Sequence, residues 1–250
     1  GLPLYVWPVR STSQAHEGLY TYDAILRLHD VQIMKAGDVT PERDPRQPRD
    51  YLNFGQLGEA FRLTEHPAVV LIDEIDKADL DFPNDLLSVL EKPRHFNIPE
   101  TGEVGRDKGV TATHAPIVII TSNKEKGNLP PPFLRRCVYY YIRFPDSEEV
   151  LKRIVDLHLP KKLGRTLREA ADQALIDRAI PLFLDLRRSG MAKPPSTSEL
   201  LDWMEALLDF DGGQSYPVER LPDKATAATL PYPELLFKLR TDWQRLAGAA

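Results

Sequence analysis

The sequence is poor in several things, and each shortage excludes something. It has one cysteine in 250 residues, Cys137, so no intramolecular disulfide can form. That scarcity agrees with a reducing compartment. No apolar run approaches the roughly 20 residues that a membrane-spanning helix needs, and no signal peptide opens the chain. Positive charge is not in surplus: 32 Lys and Arg stand against 37 Asp and Glu. The net charge of −5 leaves no global basic field for nucleic acid. Gly is nowhere followed by Lys, so no stretch can supply the Gly-rich turn and lysine of a phosphate-binding loop. The first methionine is Met34 and the chain opens on Gly1, which reads as a fragment or a processed product. No internal repeat or low-complexity tract is present.

What remains is an ordinary globular composition, 42% apolar and 28% charged, with enough length for one or two domains. Its centre is Val69-Val70-Leu71-Ile72-Asp73-Glu74. Four branched apolar residues suit a parallel strand buried on both faces. Asp73 and Glu74 then fall at the carboxyl end of that strand, where ligands bind in open α/β sheets. An Asp there can hold the water shell of Mg²⁺, and the next Glu can polarise an attacking water.

Around that centre, Leu4–Val9 reads as a strand and Tyr22–Met34 as a helix. Residues 36–50, with three prolines and alternating charge, read as a loop. Leu57, Ala60, Phe61 and Leu63 predict a helix before the acidic strand. Another runs from about Pro83 to Leu90, with Asp81 as a cap. His95–Thr113 has the turn glycines and short β-prone pieces of an exposed hairpin. Pro116–Asn123 is a second buried strand with a polar end, and Val138–Ile142 a further strand after Arg135 and Arg136. Strands alternating with helices give an α/β fold with a parallel sheet. From Ser147, which offers N-cap chemistry, the texture becomes helical, with segments at Leu167–Arg178, Ala179–Arg188, Thr197–Leu208 and about Pro233–Leu246. The expected division is therefore 1–146 and 147–250.

In this order the parts resemble the MoxR-type branch of AAA+ ATPases, in the dynein-related AAA group. Val69–Asp79 resembles the Walker B strand with its trailing Asp-Lys-Ala-Asp, and Ile117–Asn123 the sensor 1 strand. Pro130–Tyr141 resembles the segment that presents an arginine finger, and Lys193–Trp203 the sensor 2 helix of the lid. The resemblance implies a P-loop NTPase-like parallel sheet sandwiched by helices, lacking its first strand, and followed by an all-helical lid domain. That missing strand, with the Walker A segment, would precede Gly1 and lie between the Pro116–Asn123 and Val138–Ile142 strands.

The resemblance also implies roles. ATP and Mg²⁺ would be the cofactors, with Asp73 holding the metal, Glu74 activating water and Asn123 orienting it. Arg135 or Arg136 would serve the γ-phosphate of a neighbouring subunit. Ser198 stands where relatives carry the sensor 2 arginine, and a hydroxyl cannot replace a guanidinium, so Lys193 supplies that charge or sensor 2 is silent. Cys137 reads as a small buried hydrophobe rather than a nucleophile. The implied whole is a cytoplasmic ring, a hexamer, that remodels a protein client, commonly beside a von Willebrand factor A domain protein. The alternatives are a degenerate AAA+ module that binds without hydrolysis and, against the acidic charge, a nucleic-acid motor.

Overall fold

The structure is a computed structural model that describes every residue except 38–41, 106–107, 124–128, 168–169, 213, 227 and 248–250. The chain divides into two compact units, 1–140 and 141–250.

The first unit runs β1 (Leu4–Pro8), β2 (Tyr20–Tyr22), α1 (Ala24–Ala36), β3 (Leu52–Phe54), α2 (Gln56–Arg62), β4 (Val69–Asp73), α3 (Phe82–Leu90), β5 (His95–Phe96), β6 (Val110–Thr111), β7 (Ile117–Ile120) and α4 (Pro131–Leu134). Its main sheet is parallel, in the order β1-β4-β7. Two small antiparallel pairs, β2 with β3 and β5 with β6, stand apart from it. The β5–β6 pair is the hairpin expected over His95–Thr113; the β2–β3 pair was not legible, because each strand is three residues long.

Register decides which side chains share a face. Leu4, Val69 and Ile117 are aligned across the sheet, as are Val6, Leu71 and Ile119. Residues between them, Trp7, Val70 and Ile72 among them, point the other way and are buried. They meet Leu57 and Phe61 of α2 and Phe82 and Leu86 of α3 in one core, with the Trp7 and Phe82 rings edge-on at 5.5 Å. On the opposite face Leu4, Val6, Ile117 and Ile119 are 59%, 47%, 49% and 50% exposed. So β4 is sealed on one side only, where the sequence predicts burial on both. Helix α2 packs so closely on the preceding backbone that two positions must be glycine. A Cβ at Gly58 would sit 1.8 Å from the Leu19 carbonyl oxygen, and one at Gly55 2.1 Å from that of Glu17.

Helix α1 begins where its cap lies: Asp23 accepts a hydrogen bond from the Leu26 amide at 2.8 Å, and Gly37 closes it in the left-handed conformation. The buried Asp30 of α1 accepts from the Tyr51 hydroxyl at 2.9 Å, which fastens the helix to the turn before β3. Burial and that carboxylate push the Tyr51 phenol up to about 12.

Two expectations fail here. Asp81 makes no capping bond to α3, since its own backbone is already helical. Val138–Ile142 forms no strand: the run joins no sheet, and Val138, Tyr140 and Ile142 are 102%, 84% and 84% exposed. Strand-prone side chains do not make a strand without a ladder partner, and no described strand is placed to offer one.

The second unit is helical: α5 (Glu148–Leu163), α6 (Ala170–Arg188), α7 (Thr197–Leu208), α8 (Pro233–Leu236) and α9 (Arg240–Ala247). Its core gathers Leu151, Val155 and Leu159 of α5, Ile176, Ile180 and Phe183 of α6, and Leu200, Met204 and Leu207 of α7. Trp203 is fully buried and donates its indole N–H to the Pro231 carbonyl at 2.8 Å. Ser196 and Glu199 close a capping box at the start of α7. Ser147 occupies the cap position of α5 without a side-chain bond. The two helices predicted at 167–188 are one, which carries Pro181 inside it, and the last predicted helix is split into α8 and α9. Asp172, buried in α6, receives both Arg165 Nη atoms at 2.7 and 3.2 Å and the Ser215 hydroxyl.

Candidate catalytic site

The site is built where the carboxyl ends of β4 and β7 lie side by side. Strand β4 ends at Asp73, and the next residue, Glu74, has a left-handed backbone with φ 57° and ψ 51°. A residue other than glycine seldom adopts this conformation, and such strain clusters at functional sites. It turns the chain out of the sheet into the short 3-10 turn Ile75–Lys77.

What holds that turn is the tail of β7. The Thr121 hydroxyl donates to Asp73 Oδ1 at 2.5 Å and accepts from the Glu74 amide at 2.8 Å. The Thr121 carbonyl accepts from the Ile75 amide at 3.0 Å, and its own amide donates to the Ile72 carbonyl at 3.0 Å. Two residues on, the Asn123 amide donates to Asp76 Oδ1 at 2.8 Å, and its side-chain Nδ2 donates to Glu74 Oε1 at 3.1 Å. The other Glu74 oxygen pairs with the Lys77 ammonium. That hydrogen bond holds the Lys77 amine above its ordinary range, against a smaller opposing effect of burial. Both oxygens of Glu74 are thus engaged, one by an amide and one by a cation.

The structure therefore brings together three residues singled out in the sequence, Asp73, Glu74 and Asn123, within one hydrogen-bonded cluster. It adds two that sequence reasoning missed, Thr121 and Lys77. Thr121 stands two places before Asn123, where it reads as the last residue of a strand. Only the register of β4 against β7 shows that its hydroxyl faces Asp73. Lys77 could have been found from its i, i+3 spacing to Glu74.

Arg135 and Arg136 lie just after α4, both exposed. Arg136 is engaged within its own chain: Nε pairs with Glu91 Oε1 at 3.1 Å and Nη1 donates to the Pro132 carbonyl at 3.1 Å. Arg135 makes no ion pair among the described residues. Cys137 is half-buried and burial raises its thiol pKa, which keeps it protonated and unreactive. In the second unit, Lys193 is exposed before α7, and the buried Asp242 of α9 accepts from the Ala192 and Lys193 amides at 2.8 and 3.0 Å. Ser198 is exposed in the first turn of α7.

Among the described residues no group of three or more His, Cys, Asp or Glu side chains could cage a metal ion. One strand-end carboxylate, with an oxygen already bonded to Thr121, fits Mg²⁺ held chiefly through water and a substrate's phosphates. No described helix is long and apolar enough to cross a membrane.

Residues 38–130 match the family model of the AAA domain (Cdc48 subfamily), a span that includes Asp73, Glu74, Thr121 and Asn123. The chaperone protein ClpB of Prochlorococcus marinus is 26% identical over 195 residues, 70% of this chain. The chain spans only 22% of the length of that relative. NtrX from Brucella abortus, solved in complex with ADP, aligns with 94% of this chain and 55% of its own at 17% identity and a TM-score of 0.39. Over residues 38–130, which hold the cluster, this chain is therefore similar to an AAA domain.

Proposed function

We propose that this chain is the metal- and water-handling portion of a MoxR-type AAA+ ATPase that spends ATP on remodelling a protein client in the cytoplasm. The observation that carries the reading is the cluster of Asp73, Glu74 and Asn123 held by Thr121 at adjacent strand ends. Asp73 would hold Mg²⁺ through water, and the ion when bound would neutralise charge on the phosphates. Glu74 would take the proton of the attacking water. Each Glu74 oxygen carries one protein partner and keeps a second lone pair with which to accept that water. Asn123, bonded to the first oxygen, fixes the orientation of the carboxylate throughout.

Arg135 is the better candidate for a finger acting on a neighbouring subunit, since Arg136 is tied to Glu91. A ring, a hexamer in the resembled family, and a client with a von Willebrand factor A domain belong to the same reading. In the stretch Lys193–Trp203 either Lys193 supplies the charge of the arginine that Ser198 replaces, or sensor 2 is silent, and silence is the favoured reading.

The second reading is a degenerate AAA+ module that binds partners without hydrolysis. Turnover by the natural-length protein separates the two. On the first reading Glu74→Gln keeps ATP binding and lowers turnover by about 10²–10⁴. Equal turnover in the variant removes Glu74 from the chemistry, and no turnover in the parent favours the binding module. The 250-residue chain by itself is expected to show no calorimetric ATP binding, because Asp73 and Glu74 do not grip a triphosphate.

A further inference from the structure

The root of the β5–β6 hairpin carries a cation-rich notch that the ATPase reading does not use. It is a cavity of about 720 Å³ lined by Lys92, Arg94 and His95 on one side and by Thr111, Thr113 and Ala115 on the other. A volume of this size suits a short segment of a ligand rather than a single ion. None of its lining residues is acidic.

Nearby carboxylates are committed elsewhere. Glu91 pairs with Arg136, and Glu103 with Arg49 and the Thr101 hydroxyl. Lys92 and Arg94 make no ion pair among the described residues, although Arg94 is half-buried. The frame that carries these cations is fixed. Arg94 has φ 52°, its amide donates to the Glu91 carbonyl at 2.8 Å and its carbonyl accepts from the Ala112 amide at 3.0 Å. Asn97 Oδ1 accepts from the Gly105 amide at 2.9 Å, so it also accepts from His95 Nε2, at 3.0 Å. At Nδ1 the ring and the Thr111 hydroxyl share a hydrogen bond of 2.8 Å. His95 and Thr111 therefore satisfy each other and form a wall. Lys92, Arg94 and the Thr113 hydroxyl are left as the groups that can meet a ligand.

We propose that this notch docks an acidic peptide segment of a partner protein, with Lys92 and Arg94 each taking a glutamate or aspartate side chain. The fork of Arg94 suits a carboxylate bidentately, and Lys92 adds a point charge beside it. A nucleic-acid strand fits less well. No aromatic side chain lines the notch to stack a base. The inference does not rest on ATP hydrolysis.

The test is fluorescence anisotropy of a labelled oligoglutamate peptide titrated with the 250-residue chain. An oligoglutamine peptide, a single-stranded oligonucleotide and inorganic phosphate serve as competitors. Binding is expected to be weak, with a Kd of about 10–100 µM, equivalent to about 5.5–7 kcal/mol. It should fall when salt rises from about 50 to about 200 mM. The pair Lys92→Glu and Arg94→Glu should weaken it at least about tenfold with an unchanged circular dichroism spectrum, whereas Lys35→Glu on α1 should not. Amide shifts of Thr111, Ala112 and Thr113 on peptide addition should mark the same place. Three results overturn the proposal: no peptide binding, binding that ignores Lys92 and Arg94, or an oligonucleotide that displaces the peptide and depends on those two residues more strongly. If Arg94→Glu disturbs the fold, Lys92→Glu with Arg94→Gln gives the same decision.

Discussion

Replacing Thr121 with valine keeps the shape of the side chain and removes its hydroxyl. In the structure that hydroxyl does two things: it donates to Asp73 Oδ1 at 2.5 Å and receives the Glu74 amide at 2.8 Å. A hydrogen bond to a charged group contributes about 1.5–3 kcal/mol, and an amide left without an acceptor costs about 1–3 kcal/mol when buried. Both bonds lie at the surface, where water replaces part of each, so the lower ends apply and the expected loss is about 1–2 kcal/mol. Serine keeps the hydroxyl and gives up one methyl, so Thr121→Ser should cost less, within about 1 kcal/mol. The two units unfold separately in principle, so the probe must see the first one. Of the three tryptophans, Trp7 lies on β1 in the first unit, and Trp203 and Trp243 lie in the second. Labelling with 5-fluorotryptophan and following each ¹⁹F signal through urea isolates the Trp7 transition. With a slope of about 1–3 kcal/mol per molar urea, the valine variant should move that midpoint down by about 0.5–1 M. The serine variant should move it much less, and the other two signals should not move. A valine midpoint equal to the serine midpoint would mean that the hydroxyl does not hold the strand end, and the account of how Glu74 is placed would fail with it.

Three further outcomes follow from other parts of the molecule. Burial tends to raise the Asp172 carboxyl, but the bonds from Arg165 and Ser215 outweigh it and its pKa is lowered on folding; its stabilisation is therefore complete above the unfolded value of 3.8 and is lost as pH falls below that. Trp203 fluorescence against pH should show the second unit weakening below about pH 4, and Asp172→Asn should cost about 1–3 kcal/mol at neutral pH and flatten the acid limb. The uncovered sheet face, with Leu4 and Ile119 half-exposed or more, should bind an anilinonaphthalene dye, and Leu4→Thr with Ile119→Thr should reduce that fluorescence without lowering the Trp7 midpoint by more than about 1 kcal/mol. In the natural-length protein, mixing Arg135→Ala with Glu74→Gln subunits should recover activity above the weighted sum of the two, because a finger given in trans is worth about 10³–10⁵ in rate; recovery with Arg136→Ala and not with Arg135→Ala would reverse the choice between the two arginines.

The parts of this fold that were legible in the sequence are those whose cause is local. The β4 run Val69-Val70-Leu71-Ile72 is β-prone and apolar by itself, and the acidic pair after it needs only the chain direction to reach a strand end. The hairpin at residues 95–111 is announced by turn glycines, and the start of α7 by the Ser196 to Glu199 spacing. What was not legible depends on neighbours. Val138–Ile142 is made of strand-prone residues as β7 is, yet β7 has β4 beside it and Val138–Ile142 has no partner among the described strands. Pro181 marks a break by its own chemistry, and the packing of Ile176, Ile180 and Phe183 in the helical core overrides it.

The site shows the same division more sharply. Asp73 and Glu74 could be named because their residue types match a chemistry at a strand end, and Asn123 because its strand resembles sensor 1. Their arrangement could not be, because it is made by the register that sets Ile72 beside Ile120 and so brings Thr121 level with Asp73. A slip of one residue in that pairing would turn Thr121 to the other face and leave Glu74 without the bond that fixes its left-handed backbone. In the observed alignment Val118 and Ile120 lie on the core face beside Val70 and Ile72. The pairing of the two strands therefore determines where Asp73 and Glu74 stand.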